Sequence, residues 1–520
     1  MKAMLNVINS FFGSIVSFSD LLWVFPRNFE WYASIPVIGE VPFAILLLVG
    51  MGIYFTIRSK GVQFRYLKKA VHILTAKKEG DIGVSQLAGF MLSTAERVGP
   101  GNIMGVTGAI SVGGPGALFW MWVAALFGRA SSFVESTLAQ IFKEKNGDEY
   151  VGGLPFYAQK IFGNRRWLGV AVSISFIIYA LFCVPIQTFH VFTATGTMAT
   201  TIAGVTVDRQ STLYYVIGAL VIIGIAVTIF GGIKRVTGLT DKMVPVMASI
   251  YVVIVVGLMI ANISEFPIFI TSVVKGAFAP DAMFGGAMGV ALAQGVKRGL
   301  LSNEAGQGTS TPAAAITECD HPVTQGFVQS LGVFLDTIII CTMSAFVVCG
   351  ARLWDTAPDT FEAIRNSKID LFLTSMSELT PGQAMDAPVS VLICFCYALF
   401  AFTSVLGLVS FAVVISTNIS KDKRFVDAIK ILGSLIFVPI GVGCVLAGLE
   451  LDNIWYASDL FNISLVFINA PVILVGGKYA LRALKDYVDH DGRRFVASDI
   501  GLDLDSDIWT EENRQKKMSK

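Results

Sequence analysis

Charge is what this chain is short of. Of its 520 residues only 15% are Asp, Glu, Lys or Arg, against about a quarter in a soluble protein. Acidic and basic residues nearly cancel, at a formal +1, so no global field points to nucleic acid. Histidine is scarce: His72, His190, His321 and His490 are scattered along the chain. The seven cysteines form no Cys-x-x-Cys pair and no cluster with histidine. They read as small hydrophobes in packed helices. Neither paired aspartates for a metal nor a nucleophile beside a base can be found, so an enzyme is not expected. A cleavable leader is missing as well. The apolar run from Leu5 to Pro26 contains Asp20 and lacks a basic start and a small-residue cleavage site. It reads as an amphipathic helix lying in the membrane interface.

What is abundant is apolar sequence: 54% of residues are hydrophobic and the mean hydropathy is +0.66. Runs long enough to cross a bilayer recur at 41–57, 85–112, 115–140, 166–200, 212–230, 240–262, 285–319, 324–349, 386–417, 426–448 and 453–482. The chain is therefore expected to be an all-α polytopic membrane protein of about eleven transmembrane helices. Its loops alternate in charge. The 58–84 loop is basic, with Lys68, Lys69 and Lys77 among others; 113–116 is uncharged; 141–165 is basic again. Later, 231–240 and 418–425 are basic, whereas 350–385 is mainly acidic. The positive-inside rule then places the N-terminus outside and the C-terminus in the cytoplasm of a cell-membrane protein. Within 61–78, Val62, Leu67, Val71 and Leu74 alternate with basic residues at helical spacing, as suits a helix on the cytoplasmic surface. The tail after Lys485 is charged and reads as solvated.

Two spans cannot be plain helices. Span 85–112 carries Glu96-Arg97-Val98-Gly99-Pro100-Gly101-Asn102 near its middle. Pro100 has no amide hydrogen and disfavours a helical Gly99. The stretch is either a kink packed dry or an unwound segment lining a polar cavity. In the second case its carbonyls can hold a cation, and the start of the next half-helix an anion. Span 285–319 would be too long for a roughly 30 Å hydrocarbon core if straight. Its middle, Lys297 to Pro312, is polar and glycine-rich, and Thr311-Pro312 looks like a helix start. The break is expected between Gly299 and Thr311. Arg97 precedes Asn102 by five, and Arg298 precedes Asn303 by five. The two regions lie five crossings apart, which is what an inverted five-helix repeat predicts.

Charges inside the spans add a second argument, because each costs about 2.5–3.5 kcal/mol at a lipid-exposed centre. Glu96, Arg97, Arg298, Glu304 and Asp336 are read as ion pairs or gate charges, with Arg129, Glu135 and Lys297 nearby. Thr403 and Ser404 either bond back to their own helix or offer hard oxygens to a dehydrated cation. Gln187 and His190, near Pro185, are packing hydrogen bonds or pocket groups.

At these residues the sequence resembles the alanine or glycine:cation symporter family, of the amino acid-polyamine-organocation superfamily. The matching motifs are Gly52-Ile53-Tyr54-Phe55-Thr56, Arg97-Val98-Gly99-Pro100-Gly101-Asn102-Ile103, Gly113-Gly114-Pro115-Gly116-Ala117 and Lys297-Arg298-Gly299-Leu300-Leu301-Ser302-Asn303-Glu304-Ala305-Gly306-Gln307-Gly308. The resemblance implies a leucine-transporter-type core of five plus five inverted helices, at 85–262 and 285–482. One extra helix (41–57) precedes it, 1–40 and 263–284 lie outside, and 483–520 forms a cytoplasmic tail. It implies sodium-coupled uptake of a small neutral amino acid by a monomer in the lipid bilayer, with sodium as the co-transported ion and no cofactor. Carried over by position, the sodium ligands are the carbonyls of Ala95, Val98 and Phe400 and the hydroxyls of Thr403 and Ser404. The substrate positions are Gly99, Gly101, Asn102, Gln187, Asn303, Phe402 and Leu408, with the second break at Gly299 to Ala305. Leu408 stands where the family usually carries Trp, and Phe189 where it carries Asn. These departures imply a reshaped pocket and a substrate larger than alanine.

Overall fold

The computed structural model describes residues 10, 21–35, 39, 41–75, 82–209, 211–279, 288–447, 452–504 and 508–518. Most of the expected interfacial segment over 5–26 therefore lies outside the described residues. Eight described helices are long and apolar enough to cross a membrane. They coincide with eight of the eleven expected spans. The other three differ for physical reasons. Span 41–57 is a shorter apolar helix, α1 (Phe43–Arg58). Spans 85–112 and 285–319 are each interrupted.

A basic helix, α2 (Leu67–Leu74), carries exposed Lys68 and Lys69. The first interrupted pair follows. Ser85 caps α3 (Gln86–Arg97) by accepting from the Ala88 amide at 3.1 Å. The helix stops at Val98, and Pro100–Asn102 makes one tight turn before α4 (Met104–Gly113). Then come α5 (Gly116–Ile141), a hairpin of β1 (Glu144–Asn146) and β2 (Glu149–Val151), and α6 (Leu154–Ile161). Three long helices complete the first half: α7 (Arg166–Ala203), α8 (Thr212–Phe230) and α9 (Ile233–Ala261). The expected loop at 263–284 contains a helix, α10 (Glu265–Phe278), which buries Phe269 and Val273.

The second interrupted pair is α11 (Met288–Asn303) and the short α12 (Thr311–Ala315), with Pro312 in its first turn. Helix α13 (Pro322–Val333) runs through a π-helical stretch, Phe334–Cys341, into α14 (Thr342–Ala351). Beyond an acidic connection holding α15 (Lys368–Leu379) come α16 (Gln383–Ile419), α17 (Lys423–Ile431), α18 (Val438–Leu446) and α19 (Asp452–Asp489). Val84 and Thr317 pair as a parallel bridge, so α3 begins at the end of the bundle where α12 finishes. The two interrupted pairs consequently run in opposite directions. That end also carries the chain's last residues and is called the tail end here.

The tail departs from its expected solvated state. Phe495 and Trp509 are 0% and 2% exposed, and residues 493–504 and 508–515 fold back on the tail end before and along α20 (Glu511–Met518). Two aromatic rings in a charged segment find an apolar seat there, which outweighs solvation of their neighbours.

Candidate functional site

The first break leaves the helix because Pro100 cannot donate and Gly99 takes an extended conformation (φ −126°, ψ −167°). Its freed groups are satisfied internally, as apolar surroundings demand. The Gly99 amide donates to Asn102 Oδ1 at 2.9 Å. Asn102 Nδ2 then donates to Asp336 Oδ1 at 2.6 Å and to Ser302 Oγ at 3.2 Å. Ser302 and Thr337 hydroxyls donate to Asp336 Oδ2 at 2.8 and 2.9 Å. Asp336 sits in the π-helical stretch, which aims it between the breaks.

The second break runs from Glu304 to Ser310, in the later part of the expected range. Gly299 to Asn303 remain helical, which corrects the carried-over boundary. Glu304, Gly306 and Gly308 adopt φ of +58°, +83° and +80°, a left-handed region that ends the helix and favours glycine. Gly299 has another duty: a β-carbon there would stand 3.2 Å from Met121 Cα, so glycine permits α11 to pack closely on α5. Glu135 cradles the break, accepting from the Gly306 and Gly308 amides at 3.2 and 3.0 Å and from Asn469 at 2.9 Å. Arg97 ties the two breaks together through Asn303 O (3.1 Å), Gln329 Oε1 (2.8 Å) and Ser310 Oγ (2.6 Å).

These contacts correct the ion-pair expectation. Among the described residues no salt bridge joins Glu96, Arg97, Arg298, Glu304 or Asp336 to one another. Arg97 uses neutral acceptors, and Asp336 uses neutral donors. Inside the bundle, Lys297 pairs with Asp459 at 3.1 Å and lies over the Trp23 ring.

Between the breaks lies a cavity of about 100 Å³. At roughly 10–15 Å³ per water, it holds a handful of waters or one small solute. Of the expected residues, Gly99, Gly101, Gln187, Leu408, Glu96, Arg97, Arg298 and Glu304 line it. Asn102, Asn303, Phe402 and Asp336 do not. Asn102 is consumed by Asp336. Asn303 donates to Thr337 at 3.1 Å and accepts from the Ala305 amide at 3.0 Å. Phe402 points the other way, its ring lying against Gly224 of α8. His190 accepts or donates in a 2.7 Å bond with Tyr397, a packing contact. Pro100, Tyr179, Cys183, Ser302, Asp459 and Asn462 are among the other lining residues. Pro100, Tyr179, Cys183 and Ser302 share a segment with expected residues, whereas Asp459 and Asn462 lie on α19, which carries none.

On residues that line this cavity, five buried polar atoms lack a hydrogen-bond partner among the described residues: Glu96 Oε2, Gln187 Oε1, Arg298 Nε, Glu304 Oε2 and Asn462 Oδ1. Buried groups are rarely left so. A donor on one side and acceptors on the others complement a small zwitterion. Glu96 and Glu304 line the same cavity.

Beside the first break, four of the five expected cation oxygens converge. Ser404 Oγ lies 3.2 Å from Ala95 O and 3.0 Å from Phe400 O; Thr403 Oγ1 lies 3.4 and 3.1 Å from the same two. Both hydroxyls also bond back into their own helix, so the two readings of this pair coexist. Val98, the fifth, precedes Gly99, whose missing β-carbon would stand 2.7 Å from Ser404 Oγ. These oxygens are hard donors of the kind that hard cations prefer.

Antiparallel interrupted helices around a cavity lined by polar and charged residues define a secondary transporter of the membrane rather than an enzyme. The chain belongs to the sodium:alanine symporter family, whose model matches residues 30–496. It is 35% identical over 512 residues to amino-acid carrier protein AlsT of Bacillus subtilis (strain 168), covering 98% of this chain and 100% of that one. It is 37% identical over 450 residues to the probable sodium/glutamine symporter GlnT of the same organism, covering 85% and 87%. Its fold is similar to that of MhsT in complex with L-phenylalanine, with a TM-score of 0.52 and 13% identity over 82% of this chain and 94% of that one.

Proposed function

We propose that this protein imports a neutral amino acid together with sodium, by alternating access through eleven crossings arranged as one extra helix and two inverted sets of five. The N-terminus faces outward and the C-terminus the cytoplasm of the cell membrane, and the monomer is the working unit. The observation that carries the reading is the set of five unmatched buried polar atoms on residues lining the cavity, alongside the hydroxyl and carbonyl oxygens of Ser404, Thr403, Ala95 and Phe400. In the first break the Gly101 amide is offered to the substrate carboxylate, the Gly99 amide being taken by Asn102, while Gln187, Asn462 and Glu304 face the substrate's other end. Leu408 in the wall leaves space for a side chain beyond a methyl group. The relative named as a glutamine symporter supports a substrate between alanine and glutamine in size.

The test is counterflow in proteoliposomes with a panel of amino acids, with and without sodium. Sodium-dependent exchange of a mid-sized neutral amino acid is the expected result. Preference for alanine or glycine over every larger substrate would refute the size assignment.

One observation favours a second coupling ion. Glu96 and Glu304 line the same cavity, and like charges held in one site favour a proton or cation between them. A proton carried there accompanies sodium in this reading. Glu96→Gln and Glu304→Gln would each flatten the dependence of uptake on external pH. An unaltered pH profile in both variants would remove the proton from the cycle.

A further inference from the structure

None of the residues lining the cavity belongs to segments 84–93 or 311–321. Those segments run from the two breaks to the tail end, and they are stitched from behind. Gln140 Nε2 donates to the carbonyls of Ala314 and Thr317, the latter at 2.9 Å. Lys143 Nζ donates to the same Thr317 carbonyl at 2.8 Å. Both groups are in turn held by the tail: Trp509 Nε1 donates to Gln140 O at 3.0 Å, and the Lys143 ammonium lies 5.1 Å from the Trp509 ring. The 316–321 segment is gripped independently. The Phe495 amide donates to Asp320 O at 2.9 Å, and Arg494 Nη1 meets Asp320 Oδ1 at 3.2 Å. Phe495 stacks edge-on against both His321 and Trp509. The tail is itself anchored, since Gly492 closes the end of α19 with its amide on Tyr487 O at 2.8 Å.

We propose that residues 493–504 and 508–515 form an intramolecular clasp on the tail-end gate, holding α12 and residues 316–321 shut through Trp509, Phe495 and Arg494, and that this clasp releases when substrate leaves on that side. Displacing residues 316–321 breaks the bonds that the Phe495 amide and Arg494 make to Asp320, so gate and clasp move together. Removing the clasp shifts the population toward the state open at the tail end. The release step rests on the transport reading above; the contact and its effect on access do not.

The experiment uses the full chain with Trp509→Ala. Cys319, whose thiol bonds Gln140 Oε1 at 3.1 Å, reports access: maleimide labelling of the Cys319 peptide is followed by mass in detergent, where no substrate is needed. Labelling about fivefold faster than in the wild type is expected, and in proteoliposomes a changed counterflow rate. A folded variant with unaltered labelling overturns the clasp. A second arm holds if that variant fails to fold. Asp320→Cys with Arg494→Cys, in a Cys319→Ser chain, is joined by a short bifunctional thiosulfonate. Counterflow should fall about tenfold and return on reduction; full transport with the cross-link in place overturns the proposal. Faster labelling without any transport would instead count against the transport reading alone.

Discussion

The Ser404 hydroxyl lies 3.2 Å from the carbonyl oxygen of Ala95, joining α16 to the last turn of α3 across 309 positions of sequence. This is the contact a cation would replace, with the hydroxyl turning its lone pairs inward and the carbonyl already pointing there. Thr403→Ala with Ser404→Ala should raise the sodium concentration for half-maximal uptake at least tenfold, about 1.4 kcal/mol of binding. The lost back-bonds should cost stability only about 0.5–1.5 kcal/mol each. Uptake measured against sodium concentration decides it; unchanged half-saturation would move the ion elsewhere.

The two cavity glycines of the first break make opposite predictions. A β-carbon on Gly99 would stand 2.7 Å from Ser404 Oγ, too close for any ordinary contact, whereas one on Gly101 meets nothing within 4 Å. Gly99→Ala should therefore displace the Ser404 hydroxyl and abolish sodium-driven uptake. Gly101→Ala should keep sodium dependence while reducing the room for substrate. Equal sodium curves in both variants would contradict this assignment.

Leu408 faces the cavity. Leu408→Trp should fill much of its roughly 100 Å³, weakening competition by glutamine-sized substrates far more than by alanine. A tenfold change in their ratio corresponds to about 1.4 kcal/mol. Competition uptake with both amino acids reads it directly, and an unchanged ratio would take Leu408 out of the pocket wall.

The breaks were legible because they are written in backbone chemistry. Pro100 between two glycines fixes the first within a few residues. The second was legible only as a range, because glycines from Gly295 to Gly308 serve two purposes that look alike in sequence. Gly295 and Gly299 admit neighbouring helices, while Gly306 and Gly308 supply left-handed backbone. Asn102 and Asn303 misled for another reason. A buried amide beside a break resembles a substrate ligand until its partners, Asp336 and Thr337, are brought in from 234 and 34 residues away. The cradle made by Glu135 was visible as a charge in a span but not as a support for Gly306 and Gly308. The tail misled by composition, since its acidic and basic residues hid Phe495 and Trp509.

Lys143 gives a pH prediction with a definite sign. It lies just past the end of α5, 1% exposed, with its ammonium 3.9 Å from the Tyr150 ring. Burial pushes its pKa down to about 8, opposed by Cys319 and Glu318. A lysine lowered in the folded state binds its proton more weakly there than in the unfolded chain. Between about pH 8 and the ordinary lysine value near 10.4, the unfolded state therefore holds more protons, and stability at this site rises with pH. Below about pH 8 both states are charged and the burial penalty is paid in full. Lys143→Gln removes the penalty. The variant should accordingly lose its advantage over the wild type as pH is raised from 7 to 9.5, by about 1–3 kcal/mol. Tryptophan-monitored thermal unfolding in detergent, run on both proteins across that range, would show the two melting curves converging; a gap that stays constant would mean Lys143 keeps an ordinary proton affinity.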